Sequence, residues 1–205
     1  QAALQLNREL GVAWLGLART QRLMKNLDDA SESLTRAKRL LGDTDSSCSI
    51  EAALLAIDLD DVHAATRYID AAEIQGRGPT IAYVRGNIAI KSGDPERAIA
   101  MYSDALNENP KHIRARLNRI SCYLAVDKAV EAKEDADILL SLAPELAVAV
   151  FARADAQSRL GEWNDAKDGF LSVLEDAPHH YQAFACQLES FAPLFLPRSF
   201  YLQGH

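Results

Sequence analysis

The side chains of this sequence that could ligate a metal, act as a nucleophile or hold a phosphate are few and scattered along 205 residues. His179, His180 and Cys186 are the one cluster of metal-ligand types, and on a helix His179 and Cys186 would share a face. A tetrahedral site needs further ligands that the spacing does not supply, so the cluster reads as a turn with exposed histidines. His63 and His112 have no serine or cysteine arranged beside them as a nucleophile pair. Asp28-Asp29 and Asp60-Asp61 look like paired acids, but they stand where helices begin and read as caps favoured by the helix dipole. Gly76-Arg77-Gly78 lacks the G-K-[ST] ending of a phosphate loop. Cys48, Cys122 and Cys186 are odd in number with no C-x-x-C spacing, which points to buried free thiols. No catalytic residue, cofactor or metal is expected.

Arg114, Arg116 and Arg119, preceded by Lys111 and His112, form a basic helix face, read either as a docking site for an acidic segment or as a solvated surface. Over the whole chain 22 Lys+Arg stand against 29 Asp+Glu, a formal charge of −7, with 48% hydrophobic and 25% charged residues. Such a balance describes a soluble globular protein and argues against general binding of nucleic acid or anionic membranes. Charges interrupt every apolar run before the roughly 20 residues a membrane span needs, so no direct membrane insertion is expected. The chain opens at Gln1 without a leader pattern. Any targeting segment is expected to have been removed or to lie outside it, leaving the compartment open between cytoplasm and periplasm.

What positions the side chains is a repeat. Alanine accounts for 34 of the 205 residues, and Ala30, Ala64, Ala98, Ala132 and Ala166 are each 34 apart. Four residues after each stand Leu34, Tyr68, Tyr102, Ala136 and Phe170; three further on, Ala37, Ala71, Ala105, Leu139 and Val173. That spacing is one face of a helix. Five residues beyond come Gly42, Gly76, Pro110, Pro144 and Pro178, types that end helices. Twelve residues before each leading alanine are Ala18, Ala52, Gly86, Ile120 and Ala154, mostly small, which lets a preceding helix approach closely. Each unit is therefore expected to be a helix hairpin.

These residues resemble the tetratricopeptide repeat family, whose 34-residue unit carries a W-x2-L-G-x2-Y, A-x3-F, P pattern. Trp14, Leu17, Ala30 and Ala37 carry the likeness in the first unit; Gly86, Gly93, Ala98, Tyr102, Ala105 and Pro110 in the third; Tyr123, Ala132 and Pro144 in the fourth; Gly161, Ala166, Phe170 and Pro178 in the fifth. The units are 11–44, 45–78, 79–112, 113–146 and 147–180, preceded by the end of an earlier helix in 1–10 and followed by a partial sixth repeat or capping helix in 181–198. Residues 199–205 read as an appended remnant. In the second unit Cys48 and Glu51 replace large apolar residues, and 43–49 reads as a longer polar connection with an N-cap. The resemblance implies an all-α fold, a right-handed α-solenoid of antiparallel helix hairpins with first helices lining its concave side.

The inward positions of those first helices form three columns: Leu15, Ser49, Tyr83, Leu117 and Phe151; Arg19, Ala53, Asn87, Ser121 and Asp155; Arg22, Ala56, Ile90, Leu124 and Ser158. The candidate peptide-binding residues are Tyr83, Asn87, Ile90, Arg114, Leu117, Ser121, Phe151 and Asp155, with a basic rim at Arg19 and Arg22. A variant of the family clamps terminal carboxylates of chaperone tails through lysine, arginine and asparagine. Asn87 and Asn118 match its asparagines, but Tyr83, Val148 and Ala152 stand at the cation positions, so that clamp is not expected. The function this implies is a non-enzymatic protein-protein interaction scaffold holding a peptide or helix of a partner protein. An alternative is a regulatory or recruiting repeat segment of a larger enzyme or of a bacterial envelope (pilus or polysaccharide export) assembly. Self-association through the stack ends, as a homodimer using Phe184 and Phe191, is a further expectation.

Overall fold

The structure, a computed structural model, describes residues 2–175. The expectations for 181–198, for 199–205 and for the His179, His180 and Cys186 cluster lie outside the described residues, as do Phe184 and Phe191. The chain divides into two compact units at Glu108 and Asn109. The first holds α1 (Ala2–Leu23), α2 (Leu27–Leu41), α3 (Ser46–Asp58), α4 (Val62–Gln75), α5 (Pro79–Lys91) and α6 (Pro95–Glu108). The second holds α7 (Ile113–Ala125), α8 (Ala129–Leu142), α9 (Ala147–Arg159) and a helical segment α10 at 163–175. In each unit consecutive helices pair as hairpins and first helices neighbour one another, α1 with α3, α3 with α5, α7 with α9. The fold is an all-α solenoid of helix hairpins.

Every hairpin closes through the same backbone device. One residue between the two helices is left-handed: Lys25, Asp60, Gly93, Asp127 and Gly161, with φ from 59 to 78°. The amide after it donates back into the first helix: Asn26 to Gln21 O, Asp61 to Ala56 O, Asp94 to Ala89 O, Lys128 to Tyr123 O and Glu162 to Gln157 O, at 2.8 to 3.0 Å. This is the Schellman arrangement, which satisfies the last carbonyls of one helix. Asp61 and Asp94 then cap the next helix, accepting from the Ala64 and Arg97 amides. Asp60, expected as a cap, is instead the left-handed residue.

The left-handed residues also expose a slip in the period. Asp60 follows Lys25 by 35 residues and precedes Gly93 by 33, whereas the later two intervals are 34. The extra residue lies before α3 and is recovered in the shorter connection between α4 and α5, so α3 and α4 are displaced together by one position, and Ala65, Ile69 and Ala72, with Ala64, form the buried face of α4. Tyr68 is 37% exposed, its ring under Lys38, and Ala71 is exposed; both were expected on the inner face. Two further expectations are corrected. α1 runs unbroken from Ala2 to Leu23, so 2–10 are part of the first hairpin's own helix rather than the end of an earlier one, and Gly11 passes close to Leu41 where a Cβ would stand 2.7 Å from its Cγ. The polar stretch 43–49 is mostly helix: Asp45 caps α3 and accepts from the Cys48 amide, and Ser46 to Ser49 form its first turn.

Between the helices of a hairpin the seam is narrow. Ala18 faces the α2 seam with Ala30, and Ala52, Ala98, Ala132 and Ala154 are likewise buried. At Gly86 the ring of Tyr102 occupies the space of the missing side chain, where a Cβ would lie 2.3 Å from the ring. Tyr102 is itself fully buried and cannot swing away. Gly86→Ala should therefore destabilise the first unit by about 1–3 kcal/mol, the usual cost of overpacking, measured as a lower urea midpoint at unchanged slope.

The second unit begins with an unusual cap. His112 Nδ1 accepts from the Ala115 amide at 3.1 Å, opening α7. Burial, helped by the Arg114 charge and opposed by the backbone bond, holds its imidazole below the ordinary range. Only the neutral ring offers Nδ1 as acceptor, so this stability is present above the unfolded pKa and lost as pH falls through the lower folded one. Acidification from neutrality should lower the wild-type unfolding free energy by up to about 1 kcal/mol more than that of His112→Asn, whose cap does not titrate, in paired denaturation curves.

Candidate functional site

In the first unit, the first-helix face is built from α1, α3 and α5. Leu15, Ser49, Ala53 and Ala56 are buried, while Tyr83, Asn87 and Ile90 on α5 are half-buried. Tyr102 donates its hydroxyl to Asn87 Oδ1 at 2.8 Å, and its ring centroid lies 6.0 Å from that of Tyr83. The asparagine carbonyl is thus oriented by the fold.

The basic rim expected at Arg19 and Arg22 takes another form. Glu51, on α3, is 1% exposed and receives Arg19 Nε at 3.2 Å and Arg22 Nε at 2.6 Å. Arg22 Nη1 continues to Asp58 at 2.9 Å, and Lys25 Nζ meets the other oxygen of that carboxylate at 2.9 Å. A buried carboxylate is tolerable only when fully paired, and these cations provide the pairing. Arg22 is therefore a structural tie between α1 and α3, not a free charge for a ligand.

The second unit repeats that lesson. Of the basic face expected on α7, Arg116 and Arg119 converge on Asp135 of α8, through bonds of 2.7 Å each from Arg116 Nη1, Arg119 Nε and Arg119 Nη2. Arg116 Nη2 also donates to Pro110 O at 2.9 Å. Arg114 alone of the three is exposed. Leu117 and Ser121, expected to line the groove, are 4% and 3% exposed; Leu117 packs with Ile120, Val148 and Ala152 in the core, and Ser121 Oγ donates to Leu117 O. Small side chains on α9 let the helices close over them. Phe151 is half-buried with its ring edge-on to Phe170 at 5.6 Å, and Asp155 pairs with Arg159, which donates to Leu124 O at 2.6 Å. Val148 and Ala152, standing where a carboxylate clamp has cations, are core residues.

Burial, with Asp45 beside it, pushes the Cys48 thiol up to about 11, and burial pushes Cys122 up to about 12, so neither is a nucleophile near neutrality. Among the described residues no group of three or more His, Cys, Asp or Glu is placed to hold a metal ion, and no helix is long and apolar enough to cross a membrane.

Comparison with known proteins agrees with this architecture. A family model described as Tetratricopeptide repeat matches residues 89–134, from the end of α5 into α8. RNA polymerase II-associated protein 3 of Rattus norvegicus is 25% identical over 114 residues, which is 56% of this chain and 17% of that protein. The chain spans less than a fifth of the length of the curated relatives it matches. Among solved structures, PilF of Pseudomonas aeruginosa superposes with a TM-score of 0.73 at 17% identity, covering 82% of this chain and 77% of that one. YrrB, described as a TPR protein with an unusual peptide-binding site, superposes at 0.61 and 16% identity, covering 91% and 96%. Hairpin fold, internal period and family match together define the class, a helix-repeat scaffold of the kind used in protein interaction. Over residues 89–134 the chain matches the tetratricopeptide repeat, and its hairpin fold is that of the solved TPR proteins.

The buried acid of the second unit should be a stability element with no counterpart at the surface. Asp135→Asn leaves two guanidinium groups short of their shared anion and should cost about 3 kcal/mol in chemical denaturation. Arg114→Ala, in the same helix but exposed, should shift stability by no more than about 0.5 kcal/mol.

Proposed function

We propose that this chain is a non-enzymatic scaffold that holds an extended segment or helix of another protein on its first-helix faces. The observation that carries the reading is a contrast within one column. Leu15, Ser49 and Leu117 are buried, while Tyr83 and Phe151 at the same repeat position are aromatic and only half-buried. Aromatic rings set among polar side chains are effective anchors, because they offer large apolar area at little entropic cost. Tyr83 acts with Asn87 and Ile90 in the first unit, and Phe151 with Asp155 in the second. Asn87 contributes a hydrogen bond to the bound backbone, and exposed Arg114 contributes charge. Leu117 and Ser121 support this surface from within the core instead of touching the ligand.

A second reading is favoured by one observation, the much greater length of the curated relatives. In it these repeats are the recruiting segment of a larger enzyme or of an envelope assembly, and the same surface holds the recruited partner.

Peptides selected from a random displayed library against the intact chain provide the test. Tyr83→Ala with Phe151→Ala should weaken the best selected peptide by at least about tenfold, measured by fluorescence polarisation, with helical circular dichroism retained. Unchanged affinity in a folded double variant would place the binding surface elsewhere.

A further inference from the structure

Tyr102 carries a hydroxyl that the packing of its hairpin does not require. On the other second helices its place is taken by Leu34, Ile69, Ala136 and Phe170, all apolar. The fifth repeat is the close comparison. There Phe151 and Phe170 stand where Tyr83 and Tyr102 do, and the two ring pairs have similar spacing, with centroids 5.6 Å and 6.0 Å apart. A ring pair of this kind forms without either hydroxyl.

What the hydroxyl adds is a reach across the hairpin. The ring of Tyr102 lies over Gly86, where a Cβ would meet it at 2.3 Å, and Oη donates to Asn87 Oδ1 at 2.8 Å. Tyr102 is 0% exposed, so its donor is held in place, whereas Asn87 is half-buried on the first-helix face. A buried hydroxyl must give its proton to an acceptor, and of the two ends of an amide only the oxygen accepts. The bond therefore selects one of the two orientations of the asparagine amide. Oxygen and nitrogen diverge from one carbon, so holding Oδ1 on the hydroxyl turns Nδ2 and its two N–H groups away from Tyr102. In the same column Ser121 is buried on Leu117 O and Asp155 is paired with Arg159, so neither is held in this way.

We propose that Tyr102 is a positioning residue for recognition on α5. Acting through Asn87, it makes this part of the face a hydrogen-bond donor, selective for a segment that brings a carbonyl oxygen beside an apolar side chain lying on Tyr83. Tyr83 is one helical turn from Asn87 on the same face, so one segment reaches both. An asparagine without that support turns its amide over and accepts as readily as it donates, which removes the selectivity. The inference rests on reading the first-helix face as a binding surface, and it adds the polarity of the contact and the residue that sets it.

One test needs no ligand. In NMR spectra of the intact chain the side-chain amide pair of Asn87, assigned by its loss in Asn87→Ala, should shift in Tyr102→Phe. A pair that stays in place overturns the inference. The other test uses displayed-library peptides selected against the intact chain. Tyr102→Phe should weaken a peptide that depends on Tyr83 by about three- to tenfold, with circular dichroism retained, as expected for one hydrogen bond. In an Asn87→Ala background the same substitution should have no further effect. A tyrosine with a merely structural role would cost as much in both backgrounds, and that result refutes the positioning role. Asn87→Asp keeps an acceptor for Tyr102 but replaces the N–H donors with oxygen, so it should weaken the peptide at least about tenfold. Retained affinity would mean that the face accepts instead of donating, against the proposal, and this variant decides the polarity should Tyr102→Phe fold poorly. Peptides indifferent to Tyr83→Ala would remove the binding surface and this inference together. Peptides that need Tyr83 but tolerate Tyr102→Phe would overturn this inference alone.

Discussion

The hairpins of this protein depend on how closely two helices approach across small residues. Ala18 packs in one seam with Ala30, and at Gly86 the ring of Tyr102 leaves no room for a larger side chain on the first helix. Because the seam is narrow, the chain must reverse within very few residues, which a single left-handed residue followed by a capping residue achieves. Because the reversal is so short, each second helix is pinned in rotation relative to its first. That pinning makes the one-residue slip in the second hairpin visible as a change of buried face, from Tyr68 to Ile69, instead of being absorbed by a flexible loop.

Narrow seams bury little apolar area each, and charged residues complete the packing between hairpins. Glu51 and Asp135 are buried carboxylates, each held by two arginines. Such pairs add little net stability over an apolar replacement, but removing one partner is costly, so they act mainly to specify how helices register. Their consequence for function is subtractive. They remove Arg22, Arg116 and Arg119 from the inventory of surface charges, so the surfaces suited to recognition are those around half-buried aromatic rings and exposed Arg114.

Much of the architecture was legible in the residues. The 34-residue alanine spacing, the small residue twelve places earlier and the helix-ending glycines and prolines imply hairpins, and hairpins are what form. In the second repeat the count misled. Ala64 keeps the interval, yet Ala65 is the more deeply buried, because two adjacent alanines give no sequence signal for which one faces the seam. The candidate surface was legible in part. Tyr83 and Phe151 stand half-buried where the columns placed them, but Leu117 and Ser121 at equivalent positions are covered, because burial depends on the size of side chains on the adjoining helix.

Periodicity by itself determined the helix hairpins and, outside the second repeat, the second-helix residues that form their seams, since seam contacts are local in sequence and recur with each unit. Only the tertiary structure decided which charges are spent in ion pairs and which apolar side chains stay exposed. Arg19 and Arg22 read as a rim until Glu51 is found 29 residues beyond Arg22, and only the fold shows that Leu6, Leu10 and Leu17 stand exposed on α1. An ion pair is a property of two positions brought together by the fold. Exposure is a property of what does not arrive, and a sequence records neither.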